Sequence, residues 1–137
     1  MDKAVTLTFA LMDAPFESSR TTTAMRVIDA ALDRGININV FAYEGAVLLP
    51  FRHQQPHANA VHGRDAEQED HPLPRQWIAG MLNLAGERGS TFEWVNCGLC
   101  VDERGDGDAI DGVRRGTPAD LWKMASGSTN TLVVPTS

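Results

Sequence analysis

The sequence is poor in cysteine: 137 residues hold two, Cys97 and Cys100. A chain of this length buries roughly two thirds of its unfolded surface as one domain, so a disulfide framework is unnecessary. Basic residues are also scarce. Twelve Lys and Arg against 18 Asp and Glu give a net charge of -6, which excludes the positive footprint that a phosphate backbone demands, and nucleic acid is not an expected partner. Long apolar runs are missing. The opening "MDKAVTLTFALMDAP" meets Asp13 and Pro15 early, well short of the about 20 apolar residues of a membrane span, and it lacks the cleavage site of a signal peptide. No membrane partner is therefore expected, and the chain is read as cytoplasmic. In a reducing compartment two lone cysteines are expected to be reactive or metal-binding rather than permanently bridged. No dinucleotide or Walker fingerprint occurs, and "GDGD" at 105–108 lacks the spacing of a calcium loop.

The hydrophobic fraction is 42%, with 12 Gly and 7 Pro, the profile of a globular protein. Residues 4–12 form a β-branched and aromatic run without helical period, expected as a strand with both faces covered. "SSRTTTAMRVIDAALDRG" offers Ser and Thr caps, apolar Met25, Ile28, Ala31 and Leu32 at helical spacing, and Gly35 as a stop. Ser18, Ser19 and Thr21 to Thr23 are read as ordinary caps rather than an anion cradle. "INVFAYEG" (38–45) reads as a second strand. After "AVLLPF" the composition changes: residues 52–74 hold all four histidines and no sustained apolar pattern, and are expected to form an exposed, mobile loop.

"PRQWIAGMLNLAGERG" predicts a helix with Trp77, Ile78, Met81, Leu82 and Ala85 on one face, and "TFEWVN" a strand that ends where the cysteines begin. "GTPADLWKMASGS" has Thr117 at a cap, Pro118 at the first helical position and Asp120 three residues after the cap, a well-formed helix start. Residues 130–135 read as the last strand. There is no internal repeat or linker. The order predicts a single domain: an α/β three-layer sandwich with a mostly parallel sheet of about five strands, joined by right-handed crossovers. Reactive groups collect at the carboxyl ends of such strands, and Cys97 is at one.

A thiol at a strand-to-helix turn meets backbone N–H groups that favour the thiolate. Arg104, Arg114 and Arg115 add positive charge nearby, while Asp102, Glu103, Asp106 and Asp108 oppose it. The CxxC leaves several readings open. Zinc needs four ligands, so two would come from His53, His57, His62 or His71, of which His53/His57 and His57/His62 have usable spacing. A dithiol oxidoreductase would place the motif on a helix start, for which "CVDERGDGD" is poorly suited, with two glycines and several aspartates. Two buried small hydrophobes is the third reading. Trp77, Trp94 and Trp122 are read as core.

Laid out this way, the chain resembles the DsrE/DsrF/TusD-like sulfur-relay family. The opening strand with "APFESSRTTTAMRVIDAALDRG", the segment "VFAYEGAV", and the closing glycine-led helix with "TNTLVVP" carry part of the likeness. The most specific segment is a cysteine at a strand end followed by Arg-Gly, here Cys97 and Arg104-Gly105 with six residues between. The resemblance implies a protein that accepts sulfane sulfur as a persulfide on Cys97 and passes it to a partner thiol, often a small TusA-like carrier. Arg104 belongs to the implied site, Cys100 is an additional thiol that resolves or shares the persulfide, and no metal or organic cofactor is required. It also implies trimers or hexamers. The histidine-rich loop is longer than the family minimum. A non-catalytic oligomeric interaction protein is the alternative from another class.

Overall fold

A computed structural model describes residues 4–56, 63, 72–105 and 107–136. Five strands form one sheet: β1 (Thr6–Leu11), β2 (Asn37–Ala42), β3 (Phe92–Cys97), β4 (Val113–Gly116) and β5 (Asn130–Val134), in the order β4-β3-β2-β1-β5. Every pairing is parallel. Parallel neighbours need crossovers, supplied by α1 (Ser19–Asp33), α2 (Pro74–Glu87), α3 (Gly98–Glu103) and α4 (Pro118–Ser126). The result is the expected α/β/α sandwich.

The alternation of strand side chains decides which face each helix covers. Phe9, Leu11, Ile38, Val40 and Trp94 point to one face and meet Met25, Ile28 and Leu32 of α1 and Ile78, Met81 and Ala85 of α2 in the larger core cluster. Those helical residues repeat at three- and four-residue intervals, so each helix offers one apolar stripe. Phe41, Val95 and Cys97 point to the other face and pack with Val101 of α3 and Met124 of α4. This second layer is thinner. Helix α4 runs from one sheet edge to the other, and Thr8 is drawn into its end by donating to the Met124 carbonyl at 3.2 Å.

Several local expectations change. Strand β2 stops at Ala42, and Glu44–Leu48 wind into a 3-10 helix, because Gly45 packs so closely on Ala14 that a Cβ there would lie 2.9 Å from the Ala14 nitrogen. The apolar residues of "AVLLPF" thereby become core: Ala46, Val47 and Leu49 are fully buried across the carboxyl end of the sheet. Ser18 occupies the position preceding α1, yet its hydroxyl donates to Asp13 Oδ2 at 2.7 Å instead of capping the helix. Trp122 is not core; it stands 74% exposed on α4.

The cysteine segment is the largest difference. It folds as helix α3 followed by strand β4, although "CVDERGDGD" is poorly suited to a helix start. Gly98 and Asp102 lower helix propensity, but a helix this short is held by tertiary contacts that propensity does not report. Arg115 Nη2 donates to the Gly98 carbonyl at 2.9 Å and to Asp102 Oδ2 at 2.6 Å, and Arg104 Nη1 donates to the Cys100 carbonyl at 3.2 Å. Strand β4 reads Val-Arg-Arg-Gly, with no apolar alternation, because it is an edge whose charges face outward: Arg114 pairs with Glu93 and Asp120.

The expected histidine-rich loop is described at its ends and at Gly63. Arg52 and His53 are exposed, while Gln54 is tied to the Leu48 and Leu49 carbonyls and receives the Arg75 backbone N–H. Leu73 and Pro74, placed at the loop's end by the sequence, are buried at the start of α2. His57, His62 and His71 lie outside the described residues.

Candidate functional site at the cysteine pair

Cys97 is the last residue of β3, with Gly116 of β4 as its ladder partner. Its backbone turns there, φ -62° and ψ 118°, to launch α3. A strand buried on both faces thus delivers a thiol to the carboxyl edge of the sheet, where it is 6% exposed. A cleft of about 310 Å³ opens on it, lined by residues 97–99 and 115–118. Gly116 in its wall has no room for a side chain; a Cβ would lie 2.4 Å from Asp120 Oδ2 and 2.6 Å from Val95 Cγ1.

One helical step on, Cys100 faces the other way, toward the 3-10 helix. Its Sγ accepts the backbone N–H of Glu44 at 3.2 Å. Glu44 has φ 52°, the left-handed region that costs a non-glycine residue roughly 1–3 kcal/mol. That conformation aims its N–H at the sulfur. Burial, then the side chain of Cys97, push the Cys100 thiol up, the Glu44 N–H pulls it down, and the charges of Cys97 and Glu44 add to the rise.

Arg104 caps α3 on the Cys100 side. Its guanidinium lies 3.6 Å from Glu44 Oε2 and 3.9 Å from Glu103 Oε2. With Asp13, Glu17, Tyr43 and Glu44 it lines a second cleft, of about 410 Å³, at the carboxyl ends of β1 and β2. Burial first, then the Glu44 charge, raise the Tyr43 phenol. The structure therefore brings Cys97 and Cys100 together and places Arg104 beside Cys100, away from the cleft that Cys97 opens on.

The cation in the Cys97 cleft is Arg115. Its stem crosses Gly98 so closely that a Cβ there would lie 2.7 Å from Nε. The Asp102 hydrogen bond raises its pKa most, burial opposes this, and the Asp102 charge and the Cys97 sulfur add to the rise. Sequence reasoning named Arg115 only as a source of positive potential and missed Glu44, Gly98 and Gly116. Their signals were present in "YEG", in a glycine directly after the cysteine, and in Arg-Gly before a helix cap, but only the fold joins them. Among the described residues no group of three or more His, Cys, Asp or Glu could hold a metal ion. His53 is exposed, 4.0 Å from Asp108.

Fold and site together define an all-parallel α/β/α protein with a cysteine pair at the end of a central strand. No family model matches the chain, and no curated protein matches it in sequence. Solved structures do. The YchN protein from E. coli matches with a TM-score of 0.69 at 21% identity, over 96% of this chain and 99% of that one. MTH1491 from Methanobacterium thermoautotrophicum, a protein of unknown function, gives 0.61 at 13% identity, over 94% and 98%. BT1422 from Bacteroides thetaiotaomicron, a conserved protein of unknown function, gives 0.57 at 16% identity, over 94% of each. At these identities the likeness shows the fold. No helix among the described residues is long and apolar enough to cross a membrane.

Proposed function

We propose that this chain is a sulfur-relay protein of the DsrE/DsrF/TusD-like kind, which carries sulfane sulfur as a persulfide on Cys97. The observation that supports it is the placement of Cys97: a thiol at a strand end, 6% exposed, on a small cleft with a guanidinium in its wall and a second thiol behind it. Desolvation protects a persulfide from bulk oxidants, and the nearby guanidinium favours its anionic form.

The chemistry needs no cofactor. The Cys97 thiolate attacks the outer sulfur of a donor persulfide; the new S–S bond forms at Cys97 and the donor leaves as a thiolate. An acceptor thiolate then attacks that outer sulfur, and Cys97 leaves as a thiolate. Cys100, in the first turn of α3, shares or resolves the persulfide. Arg104 is a positioning residue, fixing α3 against Glu44. Donor and acceptor are cytoplasmic proteins of the TusA-like carrier type, and the working form is a homo-oligomer, a trimer or hexamer.

Incubation with a persulfide or thiosulfate donor, followed by intact mass, tests the reading. The expected result is a stable gain of one sulfur that is lost in Cys97→Ser; no gain in the unaltered chain sinks it. A second free thiol three residues on, in the first turn of α3, favours a second reading, dithiol exchange. It predicts a Cys97–Cys100 disulfide with release of sulfide in place of the gain, and Cys100→Ser then restores a lasting persulfide.

A further inference from the structure

We infer that Arg115 makes the Cys97 cleft selective for small anionic sulfur donors of the thiosulfonate class, its guanidinium receiving the oxyanion end while the sulfane sulfur meets Cys97. The donor class rests on the sulfur-transfer reading above. The charge selectivity stands on the geometry alone.

Residues 97–99 and 115–118 bring one permanent cation and no carboxylate into the cleft wall. Two carboxylates lie beside it: Asp102 pairs with Arg115 itself at 2.6 Å and offsets part of its charge, while Asp120 accepts the Thr117 backbone N–H at 2.8 Å and an Arg114 Nη1 hydrogen at 3.0 Å. Both hydrogen bonds described for Arg115 leave from Nη2, to the Gly98 carbonyl and to Asp102. They fix the plane of the guanidinium and leave its Nε and Nη1 hydrogens, which point to different sides, to act singly toward a ligand. Single charge-assisted hydrogen bonds from these positions and the positive charge suit an oxyanion, and a lysine ammonium supplies the same charge. The stem cannot swing inward over the helix, since it already rests against Gly98. Leu99 and Pro118 make the remaining wall apolar, so the cleft suits a compact donor with one charged end.

The reaction balances without any other reagent. The Cys97 thiolate attacks the sulfane sulfur of a thiosulfonate, forming Cys97–S–S⁻. The bond from sulfane sulfur to sulfonyl sulfur breaks, and its electron pair leaves with a sulfinate, or with sulfite when the donor is thiosulfate. Arg115 stabilises the charge that gathers on the departing oxyanion.

Alkylation measures the selectivity apart from sulfur transfer. In a Cys100→Ser background, Cys97 is modified with anionic iodoacetate or neutral iodoacetamide at low ionic strength, and the ratio of the two rates is taken. Removing one facing charge in Arg115→Gln is expected to lower the ratio about fivefold, with Arg115→Lys keeping most of it. The Arg115-bearing protein itself should lose its preference at high salt, a measurement that no folding defect can imitate. An equal ratio with Arg115 and with Gln, or no salt effect, overturns the assignment. Thiosulfate loading followed by mass tests the donor class: loading that survives Arg115→Gln unchanged overturns it. Failure of the unaltered chain to load from any donor removes the sulfur-transfer reading and the donor class with it, while the alkylation ratio still decides whether the cleft is anion-selective.

Discussion

Asn96 links the cysteine strand to the 3-10 helix, and its replacement by alanine has a cost that the structure sets. The side chain is 3% exposed. Its Oδ1 accepts the Trp94 Nε1 hydrogen at 3.0 Å, and its Nδ2 donates to the Val47 carbonyl at 3.0 Å. Trp94 and Val47 are both fully buried, so Asn96→Ala strands one donor and one acceptor away from water. Each orphan costs about 1–3 kcal/mol, which places the loss near 3–4 kcal/mol. At roughly 4 °C per kcal/mol for a chain of this size, thermal unfolding should fall by about 12–16 °C. A double-mutant cycle isolates the tryptophan bond. In a Trp94→Phe background there is no indole donor to strand, so Asn96→Ala should cost about 1–2 kcal/mol less than in the unaltered chain. Denaturant unfolding reads both backgrounds. A fall of less than about 4 °C, or the same cost with Trp and with Phe at 94, refutes the claim that Asn96, oriented by Trp94, ties the 3-10 helix to β3 through Val47.

Gly98→Ala separates the Arg115 strap from stability. Gly98 has an ordinary φ, so alanine strains nothing in the backbone, but its Cβ would collide with Arg115 Nε. Lower chain entropy in the unfolded state offsets the lost carbonyl bond, leaving stability within about 1 kcal/mol. The iodoacetate preference of Cys97 should nevertheless fall as it does in Arg115→Gln; an unchanged preference shows that the guanidinium is not held over Gly98. For Cys100, burial raises the thiol above its ordinary value of 9.0. Its alkylation in a Cys97→Ser protein should therefore follow an inflection above that value, and an inflection below it contradicts the burial seen here. Linkage has the same sign: above the ordinary value the unfolded chain releases this proton first, so Cys100 contributes stability at neutral pH that is lost as pH rises through its folded value.

Strand and helix periodicity made most of the architecture legible. The stripes Met25, Ile28, Leu32 and Ile78, Met81, Ala85 are the ones that face the core, and Thr117-Pro118 with Asp120 marks the start of α4 where it occurs. The same reading failed where tertiary contacts overrule local preference. Helix α3 begins on a glycine, contains Asp102, and is held by arginines that come after it in the chain. Strand β4 has no apolar alternation, because an edge paired on one side needs none. Trp122 is apolar by composition yet exposed, since α4 covers the thinner face with Met124.

What the sequence alone determined is therefore the fold class, the strand-end position of Cys97 and the presence of a second thiol near it, because each follows from spacing along the chain. What only the tertiary structure decided is which charges meet which sulfur. Arg104, seven residues beyond Cys97 with its place fixed by the helix between them, turns toward Cys100 and Glu44. Arg115, on the neighbouring strand, lines the Cys97 cleft instead. Parallel pairing of β3 with β4 sets Cys97 beside Gly116 and so brings Arg115 to the site. That register is a contact between distant parts of the chain, and spacing along the sequence carries no record of it.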